Sequence, residues 1–276
     1  MKIAVVGLGL IGGSLAKAIK HKTSFEVDGY DICNTTVKAA IGDGIITQRC
    51  SGYQKYDIIL VALYPHDTIT FLENHVSEFS KNTLVIDCAG VKEIICSRAN
   101  ELFKQSQAIF IGGHPMAGKE ASNYENSSSE LFSGASMILT PESNTPKKAI
   151  KKAADFFELL GFARVTLSTP EEHDRIIAYT SQLAHVVSSA YMLSPTAESF
   201  MGFSAGSFAD LTRVAKLNPD MWSELFITNK KALTCEIDNI IENLQQFRNY
   251  INDSNSCQLK TKLKIGSDIK ERLNQK

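Results

Sequence analysis

The sequence is poor in everything that would tie it to a bilayer, a metal or an oxidising compartment. No apolar run reaches the roughly 18–20 residues needed to cross a membrane. Neither sign of charge dominates: 29 Lys and Arg stand against 30 Asp and Glu. There is therefore no bulk field to draw nucleic acid or an anionic surface, and any anionic substrate must be held by a local cluster. The six cysteines (Cys33, Cys50, Cys88, Cys96, Cys235 and Cys257) never fall in C-x-x-C spacing. They read as reduced thiols rather than as a disulfide framework, and no metal site is expected. Tryptophan occurs once, at Trp222. The apolar start, Ile3 to Leu15, is broken by glycines and lacks a basic region before it, so it reads as a buried strand and not as a targeting segment. A cytoplasmic protein is expected.

What is present is organised around the first 31 residues. Lys2-Ile3-Ala4-Val5-Val6 is a β-branched strand, Gly7-Leu8-Gly9-Leu10-Ile11-Gly12 is a glycine turn, and a helical pattern follows. This is G-x-G-x-x-G between strand and helix, where a dinucleotide needs it. Gly7 makes the turn, Gly9 admits the pyrophosphate, and Gly12 lets helix and strand pack closely, with the anion on free helix amides. A second strand, Phe25 to Tyr30, ends in Asp31, placed to accept ribose hydroxyls and to repel a 2′-phosphate. No Arg or Lys follows before Lys38, so NAD is expected over NADP. A glycine turn of another α/β unit, with Asp31 as a helix cap, is the competing reading.

Alternating strand and helix patterns continue. A short strand is expected near Ile45-Ile46, and a buried one at Asp57 to Leu63. The loop Tyr64-Pro65-His66 suits helix capping better than chemistry. Strands follow at Thr83 to Asp87 and Ala108 to Ile111, with added strands at Ser136 to Thr140 and Ala163 to Leu167 around a helix from Pro146 to Leu160. The pattern implies a doubly wound parallel sheet with helices on both faces.

The style changes near Ser168. Thr169-Pro170-Glu171-Glu172 is a helix start with an N-cap and a capping box. An apolar helix is expected to Leu193, another around Ala197, and a short one through Arg213. A long helix from Asn218-Pro219 carries Leu233, Ile237, Ile240, Leu244, Phe247 and Ile251 as a seam for another helix. That seam suits a dimer interface or an intrachain core. The tail reads as a weak amphipathic helix interrupted at Gly266. The expected division is 1–167, a Rossmann-type NAD-binding domain; 168–252, an all-α substrate and dimerisation domain; and 253–276, a tail.

His114 lies at the carboxyl edge of the sheet between Gly113 and Pro115. It suits a general base, since an imidazole titrates near neutrality; it equally suits a loop histidine bonded to backbone. Asp174, Ser181, His185 and Ser188 share a helix face, and such a polar stripe is either satisfied internally or lines a site. Arg213, behind a glycine-serine loop, suits bidentate carboxylate binding.

Taken together, Gly7 to Gly12, Asp87 to Lys92, Gly113-His114-Pro115-Met116-Ala117-Gly118 with Glu120, Ser181 to His185, and Asp210-Leu211-Thr212-Arg213 with Trp222 resemble the prephenate/arogenate dehydrogenase family. The match spans about residues 1 to 250. The resemblance implies NAD-dependent oxidative decarboxylation of prephenate, or of arogenate, in tyrosine biosynthesis. It implies His114 as the base and Arg213 as the holder of the departing carboxylate. His185 and Ser181 would stand near the substrate side chain, Glu120 would shape the pocket, and Trp222 would line it, from the same subunit or its partner. Gly7, Gly9, Leu10, Ile11, Gly12, Asp31, Leu63 and Gly90 are the implied cofactor contacts. A homodimer without nucleic-acid or membrane partners is implied too.

Two departures stand out: Gly90 where the family often has a hydroxyl residue, and Ala184 in place of a kinking proline. The neutral-to-cationic set Ser181, Gln182 and His185 leans to prephenate. A β-hydroxyacid dehydrogenase is the rival within enzymes, but it would need a lysine between Arg175 and Arg213, and none is there. A non-catalytic NAD-binding protein is the rival outside them.

Overall fold

The computed structural model describes all residues except Glu120, Phe200, Met201, Gln275 and Lys276. Seven strands form one sheet: β1 (Lys2–Val6), β2 (Glu26–Tyr30), β3 (Ile58–Val61), β4 (Leu84–Asp87), β5 (Ile109–Pro115), β6 (Ser136–Thr140) and β7 (Arg164–Leu167). Between them run α1 (Leu10–Lys22), α2 (Asn34–Gly42), α3 (Pro65–His75), α4 (Glu93–Phe103) and α5 (Lys147–Leu159). Then come α6 (Pro170–Ile177), α7 (Leu183–Met192), α8 (Gly206–Thr212), α9 (Pro219–Thr228), α10 (Lys230–Asn252) and α11 (Ser256–Asn274). The strand order is β2-β1-β3-β4-β5-β6-β7, parallel except where β5 meets β6.

The central strands are continuous apolar runs because both of their faces are covered. Successive side chains point to opposite faces, and the two cores sort accordingly. Ile3, Val5, Ile58, Leu60 and Ile86 pack with α1, α2 and α5; Ala4, Val6, Ile59, Val61 and Val85 pack with α3 and α4. Each Val, Leu or Ile among them, fully buried, contributes about 1.5–3 kcal/mol. This is the doubly wound α/β domain expected, and its strand order reverses between β1 and β3, where ligands of such sheets bind.

By compactness the chain forms two units, Met1–Asn229 and Lys230–Lys276. The first holds the sheet and α1 to α9, and the second is the α10–α11 pair. The expected domain borders fall at the β7–α6 and α10–α11 connections.

Several local expectations are corrected. Ile45 and Ile46 are buried but form no strand; only a bridge between Gly29 and Arg49 touches the sheet there. Apolar burial alone had mimicked a strand. The helix expected from Asn218 through the seam breaks at Asn229, whose side chain turns inward to donate to the Asp174 carbonyl (2.9 Å) and to Gln182 Oε1 (2.8 Å). The segment around Ala197 is one 3₁₀ turn, Pro195–Glu198. Helix α11 runs through Gly266 without interruption. The apolar helix to Leu193 is divided by a π-helical turn, Ala178–Gln182. A single π turn of this kind is frequent at functional sites, and it interrupts the helix although the kinking proline is missing.

Candidate active site

The nucleotide cradle forms as the glycine pattern requires. Gly7 sits at φ +86°, a conformation that L side chains rarely adopt. A Cβ on Gly12 would collide with the Gly7 carbonyl, while one on Gly9 would meet nothing, so the turn is closed behind and open in front. Helix α1 begins here with no side-chain cap and no acid in its first turn. Its free amides thus remain available to an anion. At the end of β2, Asp31 accepts from Leu8 N (2.8 Å) and from Cys33 N (2.8 Å). These bonds aim the carboxylate and leave lone pairs for ribose hydroxyls. Leu63 leans on Gly7 from the end of β3. The cradle fits a dinucleotide without a 2′-phosphate.

His114 lies inside β5, not in the loop after it, and pairs with Ile138 of β6. Its half-buried imidazole is one end of a chain. His114 Nδ1 lies 2.9 Å from His173 Nε2, and His173 Nδ1 lies 2.7 Å from Asp174 Oδ1. Asp174 also accepts from Lys92 N (2.7 Å) and Glu93 N (2.9 Å), at the first turn of α4. An ionised carboxylate only accepts, so His173 donates through Nδ1 and accepts through Nε2. His114 then donates through Nδ1, and Nε2 keeps its lone pair. Burial, with His173 and the Lys92 ammonium nearby, pushes the His114 imidazole well below 6.5. Burial likewise lowers His173, against the pull of Asp174. The pair is neutral, and His114 can take a proton at Nε2.

Helix α9 joins this corner to the helical residues. A Cβ at Gly90 would stand 3.4 Å from Leu225 and 3.9 Å from His114 Cε1. Leu225 therefore fills the space facing the missing hydroxyl. Gln182 of the π turn donates to the Leu225 carbonyl (3.2 Å). One turn earlier on α9, Trp222 packs against His185 with ring centroids 3.7 Å apart and the planes tilted by 39°, and His185 Nδ1 meets the Val214 carbonyl at 3.0 Å. Trp222 thus reaches His185 within the same chain.

Arg213 is exposed where α8 passes into a 3₁₀ turn, and Ser181 is half-buried on the π turn. Glu120 lies outside the described residues. The polar stripe is largely satisfied internally: Ser188 donates to the Leu211 carbonyl (2.7 Å), and Asp174 serves α4. His66 opens α3, its amide donating to Glu224 of α9 (2.9 Å), which agrees with a helix start.

Sequence reasoning missed two residues of the site. His173 sits in a helix start and meets His114 only through the fold. Arg49 lies over the Tyr30 ring at 4.7 Å and bonds Asn34, so a cation from beyond the expected stretch stands near the end of β2, engaged by these two neighbours.

The family model "Prephenate dehydrogenase, nucleotide-binding domain" matches residues 15–167, and "Prephenate dehydrogenase, dimerization domain" matches 169–265. The Bacillus subtilis prephenate dehydrogenase is 30% identical, over 98% of this chain and 76% of its own. The Zymomonas mobilis cyclohexadienyl dehydrogenase is also 30% identical, over 90% of this chain and 88% of its own. Among solved structures, the A. aeolicus prephenate dehydrogenase in complex with hydroxyphenyl propionate and NAD+ is 27% identical with a TM-score of 0.88, covering 99% of this chain and 98% of that one. With both halves matched by its models, the chain belongs to the prephenate dehydrogenase family.

Proposed function

We propose that the protein is a homodimeric, cytoplasmic prephenate dehydrogenase that uses NAD+, with His114 as its base. The observation that carries this reading is the hydrogen-bonded chain Asp174–His173–His114 on the strand beyond the dinucleotide cradle; with Asp174 accepting at its far end, the chain leaves the lone pair on His114 Nε2. When bound, NAD+ supplies the hydride acceptor. Gly7, Gly9, Leu10, Ile11 and Gly12 would hold its pyrophosphate, Asp31 its ribose hydroxyls, and Leu63 and Gly90 would complete the cofactor site. His114 Nε2 takes the hydroxyl proton of the cyclohexadienol as the carbinol hydrogen leaves with its electron pair. The ring carboxylate departs as CO₂, and its bonding electrons complete the aromatic ring, which makes the step strongly downhill. Arg213 holds that carboxylate. Ser181, His185 and Trp222 line the side-chain end of the substrate, and Glu120 shapes the pocket.

The working division is 1–167 for the nucleotide, 168–252 for substrate and dimer, and 253–276 as a tail. Among the described residues, no helix is long and apolar enough to cross a membrane. Nucleic acid has no place in the proposed reaction.

Prephenate is favoured over arogenate because Ser181, Gln182 and His185 supply neutral or cationic groups, whereas an amino side chain calls for an acid. The test is NADH formation with each substrate, paired with NAD+ and with NADP+. Turnover with prephenate and NAD+ is expected. Turnover with arogenate alone reverses the substrate, and silence in all four mixtures removes the activity.

A further inference from the structure

Strand β4 ends at Asp87, two residues short of the point at which β5 reaches His114. The β4–β5 ladder pairs Leu84 to Ile86 with Ile109 to Ile111 and goes no further; from Gly112 onward β5 pairs with β6 instead. Gly113, the residue before His114, therefore turns its backbone groups to a place where no strand remains. Side chains complete the pairing. Asp87 Oδ1 accepts from Gly113 N (3.1 Å), and Lys92 Nζ donates to the Gly113 carbonyl (2.6 Å) and to Asp87 Oδ2. Asp87 Oδ2 also accepts from Ala89 N (3.1 Å), which ties the loop carrying Gly90 to the same carboxylate.

Lys92 is fully buried, with 0% of its surface exposed, and so is Asp87. A buried ion pair is a poor source of stability, because desolvation consumes most of the attraction. Its worth must lie in what it holds. Lys92 touches both ends of the histidine chain: its backbone amide holds Asp174, and its ammonium holds Gly113.

We propose that Lys92 and Asp87 are positioning residues for the proton transfer, a polar extension of β4 that fixes His114 against His173 and Asp174. This rests on His114 being the base. The titratable and charged groups around His114 are His173, backed by Asp174, from α6; Lys92 just before α4; and Asp87 at the end of β4, which holds the amide of Gly113. Within that set the Lys92 cation disfavours an imidazolium at His114, in line with the depressed ionisation already noted.

Lys92→Met alone strands the Asp87 carboxylate and risks misfolding. The informative protein is therefore the double variant Asp87→Asn with Lys92→Met, which removes both charges at similar volume. It is compared with the parent and with His114→Asn by circular dichroism, thermal unfolding, NAD+ binding, and the pH dependence of kcat and kcat/KM for prephenate. The expected result is native-like unfolding and unchanged NAD+ affinity, with kcat lowered about 10- to 100-fold by misplacement of the base. The acid limb of the profile is expected to move little, because a cation and the anion paired with it leave together. A folded double variant with parental kcat overturns the proposal, and so does a fall in kcat matched by an equal loss of NAD+ affinity. If His114→Asn keeps parental turnover, the base assignment fails instead.

Discussion

The two halves of the Met1–Asn229 unit solve burial differently. Strands β3 and β4 are wholly enclosed, as is β1 apart from Lys2, whereas neither α8 nor α9 contains a single buried residue. Phe203 is 91% exposed, Leu193 84% and Ile227 70%. The sheet completes its own core, but the helical half leaves large apolar side chains to water, and such a surface ordinarily has a partner. The His114 corner belongs to the first regime, with nearly every polar atom engaged. Arg213 and its neighbours belong to the second. The proposed base is thus held on the enclosed half, while the proposed substrate contacts sit on the more exposed one.

The contrast can be broken most directly at the base. His114→Ala is expected to lower kcat by about 10²- to 10⁴-fold, the range for a lost general base, with NAD+ binding intact by calorimetry. At the cradle, Asp31→Ala removes charge-assisted bonds of about 1.5–3 kcal/mol, so the KM for NAD+ is expected to rise about 10- to 100-fold with a smaller change in kcat. In the second unit, a Leu244→Asp, Ile251→Asp double variant places charge on exposed apolar positions of α10. Sedimentation velocity should show monomers in place of dimers, and an unchanged dimer would remove α10 from the interface.

Two finer measurements sharpen the comparison. The folded His114 and His173 ionise below the ordinary 6.5. Below about pH 6.5 the unfolded chain therefore binds more protons. Stability should be fully present above that value and fall as the pH drops towards the folded ionisations, as read by urea midpoints. The neutral Gln variant at residue 173 should flatten part of that slope. The smallest effect concerns Cys33, whose thiol is lowered to about 7 by hydrogen bonds from Thr35 and Thr36. It should be alkylated before the other exposed thiols, Cys235 and Cys257, near neutral pH. NAD+ should slow the reaction, since Cys33 N anchors Asp31.

The sheet was legible because its strands are unbroken apolar runs separated by turn residues, and the glycine turn carried its own stereochemical reason. Ile45-Ile46 misled because burial without a ladder looks the same in one dimension. The break at Asn229 carried no glycine or proline; it exists because a side-chain amide is wanted inside, by Gln182 and the Asp174 carbonyl. Within the site, His114, Asp31 and Arg213 stood out by position. His173 did not, because 59 residues separate it from His114 and its neighbours spell only a helix start. Asp87 and Lys92 were visible as a motif, but what they do depends on where β4 stops, and that is a property of the assembled sheet.

The contact of Trp222 with His185 has a practical corollary. The chain holds one indole, and it lies on α9 against an imidazole rather than in a remote core. With excitation on the red edge, where the eight tyrosines do not absorb, emission therefore comes from a single known place. Events at the helical side of the pocket can be followed optically, in real time, without a label and without background from any other tryptophan.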